Sequence, residues 1–260
     1  MNLVTAYDPS ARIYTVAAQS YPNVGLDTFF SAKLSGDLTS AAWINTNIIV
    51  AHPDTAPNNE GSMKMVRFFK SPVGGDYLVT FSNGIVATLD LSAKKYTTLT
   101  QINMGAGSVL TAEQTFAHVL DGNVLKSIIY DPRGNNGDGA SYLIATDLSV
   151  SPAKPSAPLL LQFPKSGSSG AFCRPINAHV ITDGTASGVQ LAVIFGGNFD
   201  MIMSVDETTG LMGNNIIPDM ASGNGVSIPQ ELYCNTGTKD CDYWTNSAYG
   251  RDFLLAFLCS

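Results

Sequence analysis

The chain holds three histidines, and each stands in the same local setting: Ala51-His52 ahead of Asp54, Ala117-His118 ahead of Asp121, and Ala178-His179 ahead of Asp183. Imidazole titrates near neutral pH and binds transition metals through either ring nitrogen. Three neutral imidazoles meeting at one point would bind a divalent transition metal and leave a coordination position open for water or substrate. Cys234 stands roughly where a fourth copy of the motif would place a ligand. His52, His118 and His179 are therefore candidates for metal-assisted or acid–base chemistry on a small molecule. The competing expectation is a structural latch. There, a ring nitrogen is hydrogen-bonded inside a sheet and holds a turn, and a repeat protein keeps one latch per unit.

Other residues could carry chemistry. Tyr233, Tyr243, Trp244 and Tyr249 crowd one stretch, and aromatic faces pack against sugars and other flat ligands. With the histidines, Tyr233, Tyr243 and Trp244 form the expected ligand-binding set. The segment DPRGNNGDG at 131–139 offers oxygen atoms in a glycine-rich loop, but the spacing of a helix–loop–helix calcium site is absent. Calcium thus ranks below a transition metal as an expected ion. Asp200, Asp206 and Glu207 lie near strand ends and read as solvated carboxylates. The chain has no G-x-S-x-G elbow, no phosphate-binding lysine loop, and no dinucleotide fingerprint opening a helix.

The elements that must position these residues are strands. No window of twelve residues carries a helical apolar stripe. Runs of five to eight residues rich in Val, Ile, Leu, Tyr, Phe and Thr recur instead, closed by Gly, Pro, Asn or Asp. Strands ending near Tyr7, Phe69, Tyr130, Phe195 and Phe257 follow one another at steps of 61 to 65 residues. Three further strand types follow each marker, and the histidines fall in the last: IIVAH, TFAHV, NAHVI and, with cysteine, ELYCN. Self-similarity of this kind marks a repeat architecture. The expectation is an all-β fold: one β-propeller domain over residues 1–260, with four large four-stranded blades of about 62 residues each. The surplus strand at one end predicts closure by pairing of the N- and C-terminal strands, which covers open edges. A five-bladed ring and a β-sandwich are the alternatives.

Composition narrows the partners. Charged residues are 13% against about 25% in ordinary domains, and the net charge is −7 with a pI near 4.8. No cluster of Lys and Arg could track a phosphate backbone, so nucleic acid is excluded as an expected partner. No apolar run approaches the roughly 20 residues of a spanning helix, so membrane insertion is not expected. The start MNLVTAYDPS has neither a basic region nor an apolar core of the secretory type. Low charge and four cysteines suit a mature extracellular chain, with Cys234–Cys241 and Cys173–Cys259 as one possible disulfide pairing; a cytoplasmic chain with free thiols is the alternative. The leading expectation for function is a ligand-binding propeller. Its pocket would lie at the axis or on one face and take a neutral small molecule or glycan. An enzyme built on the three histidines and a structural subunit of an extracellular layer are the alternatives. Oligomeric state is not set by these features.

Overall fold

The computed structural model describes residues 2–8, 10–19, 26–37, 39–53, 65–104, 115–131, 140–162, 174–182, 189–196 and 201–215. Among these residues every regular element is a strand. The all-β expectation therefore holds at the level of antiparallel sheets.

Among the described residues four sheets follow one another, and each is a meander of strands in chain order. The first contains β1 (Asn2–Asp8), β2 (Ile13–Gln19), β3 (Leu26–Leu34) and β4 (Ala41–Ala51). The second contains β5 (Met65–Lys70), β6 (Tyr77–Phe81), β7 (Ile85–Asp90) and β8 (Lys95–Gln101). In the third, β9 (Thr115–Asp121), β10 (Val124–Asp131) and β11 (Ala140–Asp147) are followed by two short edge pieces, β12 (Lys154–Pro155) and β13 (Leu159–Leu160), both paired with β11. The fourth contains β14 (Arg174–Thr182), β15 (Val189–Gly196), β16 (Met201–Val205) and β17 (Met212–Asn215).

A recurring turn ends the third strand of each sheet. Asp37-Leu38-Thr39, Asp90-Leu91-Ser92, Asp147-Leu148-Ser149 and Asp206-Glu207-Thr208 all follow the pattern D-x-[S/T]. In each, the aspartate carboxylate accepts backbone N–H groups two or three residues ahead: Thr39, Ala93, Ser149, and Thr208 with Thr209. An aspartate does here what a backbone carbonyl does in an ordinary turn. Asp8 repeats the device after β1, accepting from Ser10 and Ala11.

This turn corrects the phase of the repeat. Tyr7 and Phe69 lie on the first strands of their sheets, whereas Tyr130 and Phe195 lie on the second strands of theirs. The aromatic markers are thus not equivalent positions. Alternating apolar strands resemble one another in sequence, and one extra or missing strand leaves the spacing almost unchanged. The strand KYTTLTQ of β8 carries too few apolar residues to stand out.

The chain falls into two compact units: residues 1–112 with 122–124 and 146–155, and residues 113–121, 125–145 and 156–260. In the first unit, the first strands β1 and β5 lie against each other, and one face of the first sheet packs on the second sheet. Ala6, Ala17, Phe29 and Val50 meet Met65, Phe68, Val79, Phe81, Leu89 and Tyr96. Phe29 stands 5.8 Å from Phe68 and 6.4 Å from Tyr96, ring centre to ring centre, within the range of favourable aromatic pairs. β6 is buried along its whole length, but β2 alternates buried residues with half-buried ones and the exposed Tyr14. The first sheet therefore has one core face and one open face.

In the second unit, β9 and β14 lie against each other, so first strands are again neighbours. Its buried residues include Leu125, Ile128, Ile129, Ile144 and Leu191. Lys126 is buried and donates at 2.7 Å to both Asp121 and Glu207. Burial works against the ammonium, but the two carboxylates outweigh it and raise its pKa. Where β17 begins, Gly210 has a positive φ of 74°, and a Cβ there would meet the Leu160 carbonyl. That close approach lets Gln162 exchange backbone hydrogen bonds with Gly210 and Met212.

Asp8 and Asp37 predict how the fold responds to acid. Ser10 and Ala11 hold the Asp8 carboxyl at about 2, and Ser35 and Thr39 do the same for Asp37, against 3.8 for a free aspartate. Carboxyls depressed in this way add stability that is complete above about pH 4 and is lost as pH falls through about 2. Denaturant unfolding at a series of pH values should show stability declining across that window. Asp8→Asn should flatten the decline, and an unchanged slope in that variant would remove the assignment.

Candidate functional site

The two faces of the first sheet differ in chemistry, and each carries a cluster of side chains. The core face is unusually polar. Thr15, Gln19, Asp27 and Ser31 are buried there among the apolar residues. The Thr15 hydroxyl meets the Ser31 hydroxyl at 2.8 Å and the Tyr77 hydroxyl at 2.6 Å. Asp27 has no exposed surface and receives two donors: His52 Nε2 at 2.9 Å on one oxygen and the Tyr96 hydroxyl at 2.6 Å on the other. Burial, then the neighbouring Asp27 carboxylate, drive the Tyr96 phenol well above its ordinary pKa, so Tyr96 stays a donor.

Geometry fixes the histidine tautomer. The Gln19 carbonyl oxygen accepts the Met65 N–H at 2.7 Å, which leaves the Gln19 amide nitrogen facing His52 Nε2 at 3.4 Å. A single ring nitrogen cannot donate to Asp27 and also accept from Gln19. The shorter contact, to Asp27, places a proton on Nε2. His52 Nδ1 is buried and has no hydrogen-bond partner among the described residues. The imidazole packs on Phe81, 5.9 Å between ring centres. His52, Asp27 and Tyr96 together connect the end of β4, the start of β3 and β8, and so tie the first sheet to the second.

The other two histidines sit elsewhere in their sheets. His118 is buried on β9, and its Nδ1 meets the Ser127 hydroxyl of adjacent β10 at 2.8 Å. His179 lies on β14 opposite Ala192. His118 and His179 are thus on first strands, whereas His52 follows a fourth strand. The three do not share one position of the repeat, which corrects the premise that brought them together. Among the described residues, no group of three His, Cys, Asp or Glu side chains is placed to hold a metal ion. Tyr233, Tyr243, Trp244 and all four cysteines lie outside the described residues, as does the loop 132–139. Asp206 and Glu207 are occupied by turn and lysine contacts.

The open face of the first sheet carries a feature that the strand pattern alone did not single out. Tyr7 pairs with Tyr14, Tyr14 with Ala32, and Ala32 with Trp43, one residue from each of the four strands. Residues directly opposite in an antiparallel sheet project from the same face. Tyr7, Tyr14 and Trp43 are 42%, 40% and 67% exposed, and Ala32 between them is 9% exposed. Strands lie about 4.8 Å apart, so Tyr14 and Trp43 stand about 10 Å apart across a shallow notch floored by alanine. The row lies close to the β1–β2 turn, at one end of the strands. Tyr7 and Tyr14 symmetrically flank the turn DPSARI, a sign readable in the sequence once the hairpin is recognised. The partnership of Trp43 with Ala32 depends on two register shifts in the β3–β4 pair and has no such sign.

No known protein family and no curated protein matches the chain in sequence. Among solved structures, it is similar to a candidate 6-phosphogluconolactonase from Bacteroides uniformis, with TM-score 0.44 and 10% identity over 81% of this chain and 52% of that one. It is also similar to an engineered GH43 glycoside hydrolase with endo-xylanase and exo-arabinofuranosidase activity, with TM-score 0.45 and 10% identity over 87% of this chain and 41% of that one. The chain spans about half the length of these proteins or less. Activity must be argued from its own residues.

The buried network makes a measurable prediction. Tyr96→Phe removes one donor from a carboxylate that no water reaches, and should destabilise the protein by about 1.5–3 kcal/mol. Urea unfolding midpoints of wild type and variant would check this, and equal midpoints would show that Asp27 does not depend on the phenol.

Proposed function

We propose that the chain binds a neutral saccharide or a similarly flat small molecule, and that the row Tyr7–Tyr14–Ala32–Trp43 is the binding surface. One observation carries this reading: three exposed aromatic residues aligned in register across a sheet, with the smallest apolar side chain between two of them. The C–H face of a sugar ring is apolar and its rim is polar. It stacks on aromatic rings while its hydroxyls stay in water. Ala32 leaves room for a ring to sit between Tyr14 and Trp43, and strong charge is not needed.

In this reading the sheets are blades of one propeller domain over residues 1–260, closed by pairing of N- and C-terminal strands. The meander order of every sheet and the adjacency of first strands within each unit support it. A five-bladed ring is the alternative count. An extracellular location belongs to the same proposal and rests on the low charge.

Trp43 and Trp244 are the two tryptophans of the chain, so Trp244→Phe leaves Trp43 as the reporter. Titration with neutral oligosaccharides should shift its fluorescence to shorter wavelength and saturate. Trp43→Ala should weaken binding by about tenfold or more, equivalent to about 1.4 kcal/mol, with the circular dichroism spectrum unchanged. If no neutral oligosaccharide on a broad array perturbs Trp43, the proposal fails.

A further inference from the structure

The outer edges of the four sheets are not alike. β8 opens on Lys94 and Lys95, with Lys94 in a left-handed conformation at φ 52°. β12 is two residues long and consists of Lys154 and Pro155, and β13 is also two residues. β17 has four residues and a register shift against its neighbour. Lysine, proline, shortness and irregularity are the usual guards against unwanted strand addition. β4 has few of them. It is eleven residues long, AAWINTNIIVA, with no charged residue and no proline, and only Val50 is buried. It is hydrogen-bonded to β3 on one side, and no described strand pairs with its other side.

The sequence of β4 is also nearly symmetric. Four apolar residues, Ala41 to Ile44, precede Asn45-Thr46-Asn47, and four more, Ile48 to Ala51, follow. We propose that β4 pairs antiparallel with β4 of a second copy of this chain, about a two-fold axis at Thr46. In that pairing Trp43 meets the partner's Ile49, Ile44 meets the partner's Ile48, and Asn45 meets the partner's Asn47. Every apolar residue finds an apolar one, and amide faces amide. A two-fold axis demands this self-complementarity, since the same strand supplies both sides of the seam. A chain of net charge −7 repels its own copies, but the seam itself contains no charge. The two register shifts in the β3–β4 pair fall between Trp43 and Ile48, and Asn47 has a positive φ of 58°. The irregular backbone is thus confined to the centre, and the arms Ala41–Trp43 and Ile48–Ala51 keep regular strand geometry. Strand addition satisfies the free backbone groups of both arms, and the apolar pairs set the register. The seam extends the sheet sideways and leaves the aromatic row on its open face.

Sedimentation across the micromolar range tests this. Wild type should run at twice the 27.5 kDa chain mass. Thr46→Lys places two ammonium groups together at the axis and should return the protein to a monomer, with its circular dichroism spectrum and melting profile retained. Thr46→Cys should form a covalent dimer on mild oxidation under conditions where wild type does not. A wild-type monomer at all concentrations, a dimer that survives Thr46→Lys, or a Thr46→Cys protein that stays uncross-linked would each overturn the proposal.

Discussion

Asp27 is a carboxylate with no exposed surface, and the first sheet is arranged around satisfying it. A buried charge without water requires hydrogen bonds from the protein. Here the donors come from the end of β4 and from β8 of the next sheet. The requirement therefore fixes three things at once: the path of the chain after β4, the seating of one sheet on another, and which face of the first sheet turns inward. Aromatic packing of Phe29, Phe68, Phe81 and Tyr96 surrounds the network and keeps water out.

Once that face is fixed, strand parity decides the rest. Side chains alternate along a strand, so committing Thr15, Ala17 and Gln19 to the core turns Tyr14, Val16 and Ala18 outward. The aromatic row is the far side of the same register that buries Asp27. A slip of one residue in β2 would bury Tyr14 and expose Thr15. The interior of this sheet mixes polar groups with apolar ones, and its exterior carries exposed aromatic residues.

Much of the architecture was readable beforehand, and the misreadings have a common cause. Period-two apolar runs with Gly, Asn and Asp between them identify antiparallel strands, and four strands is the count in three of the four described sheets. The phase was wrong because aromatic strand ends are interchangeable in sequence. The turn D-x-[S/T] follows the third strand of every described sheet, where its aspartate has a specific backbone task, although the same turn also follows β1. The histidine motif misled for the same reason. Ala-His with an aspartate shortly after looks alike at 118 and 52, yet one histidine bonds a serine on the neighbouring strand and the other bonds an aspartate on the preceding strand. The partner of His52 is Asp27 and not Asp54.

Sequence alone determined the strand character and the low content of basic residues, because these depend on side-chain type and on spacing of a few residues. Tertiary structure decided which partner each polar group found. Asp27 and Tyr96 are 69 residues apart, and Thr15 and Tyr77 are 62 apart. Such pairings are set by how two sheets dock, and docking depends on the summed packing of many apolar residues rather than on any local pattern. The row from Tyr7 to Trp43 likewise exists only after three strand registers are set, one of them through bulges whose positions local spacing does not reveal.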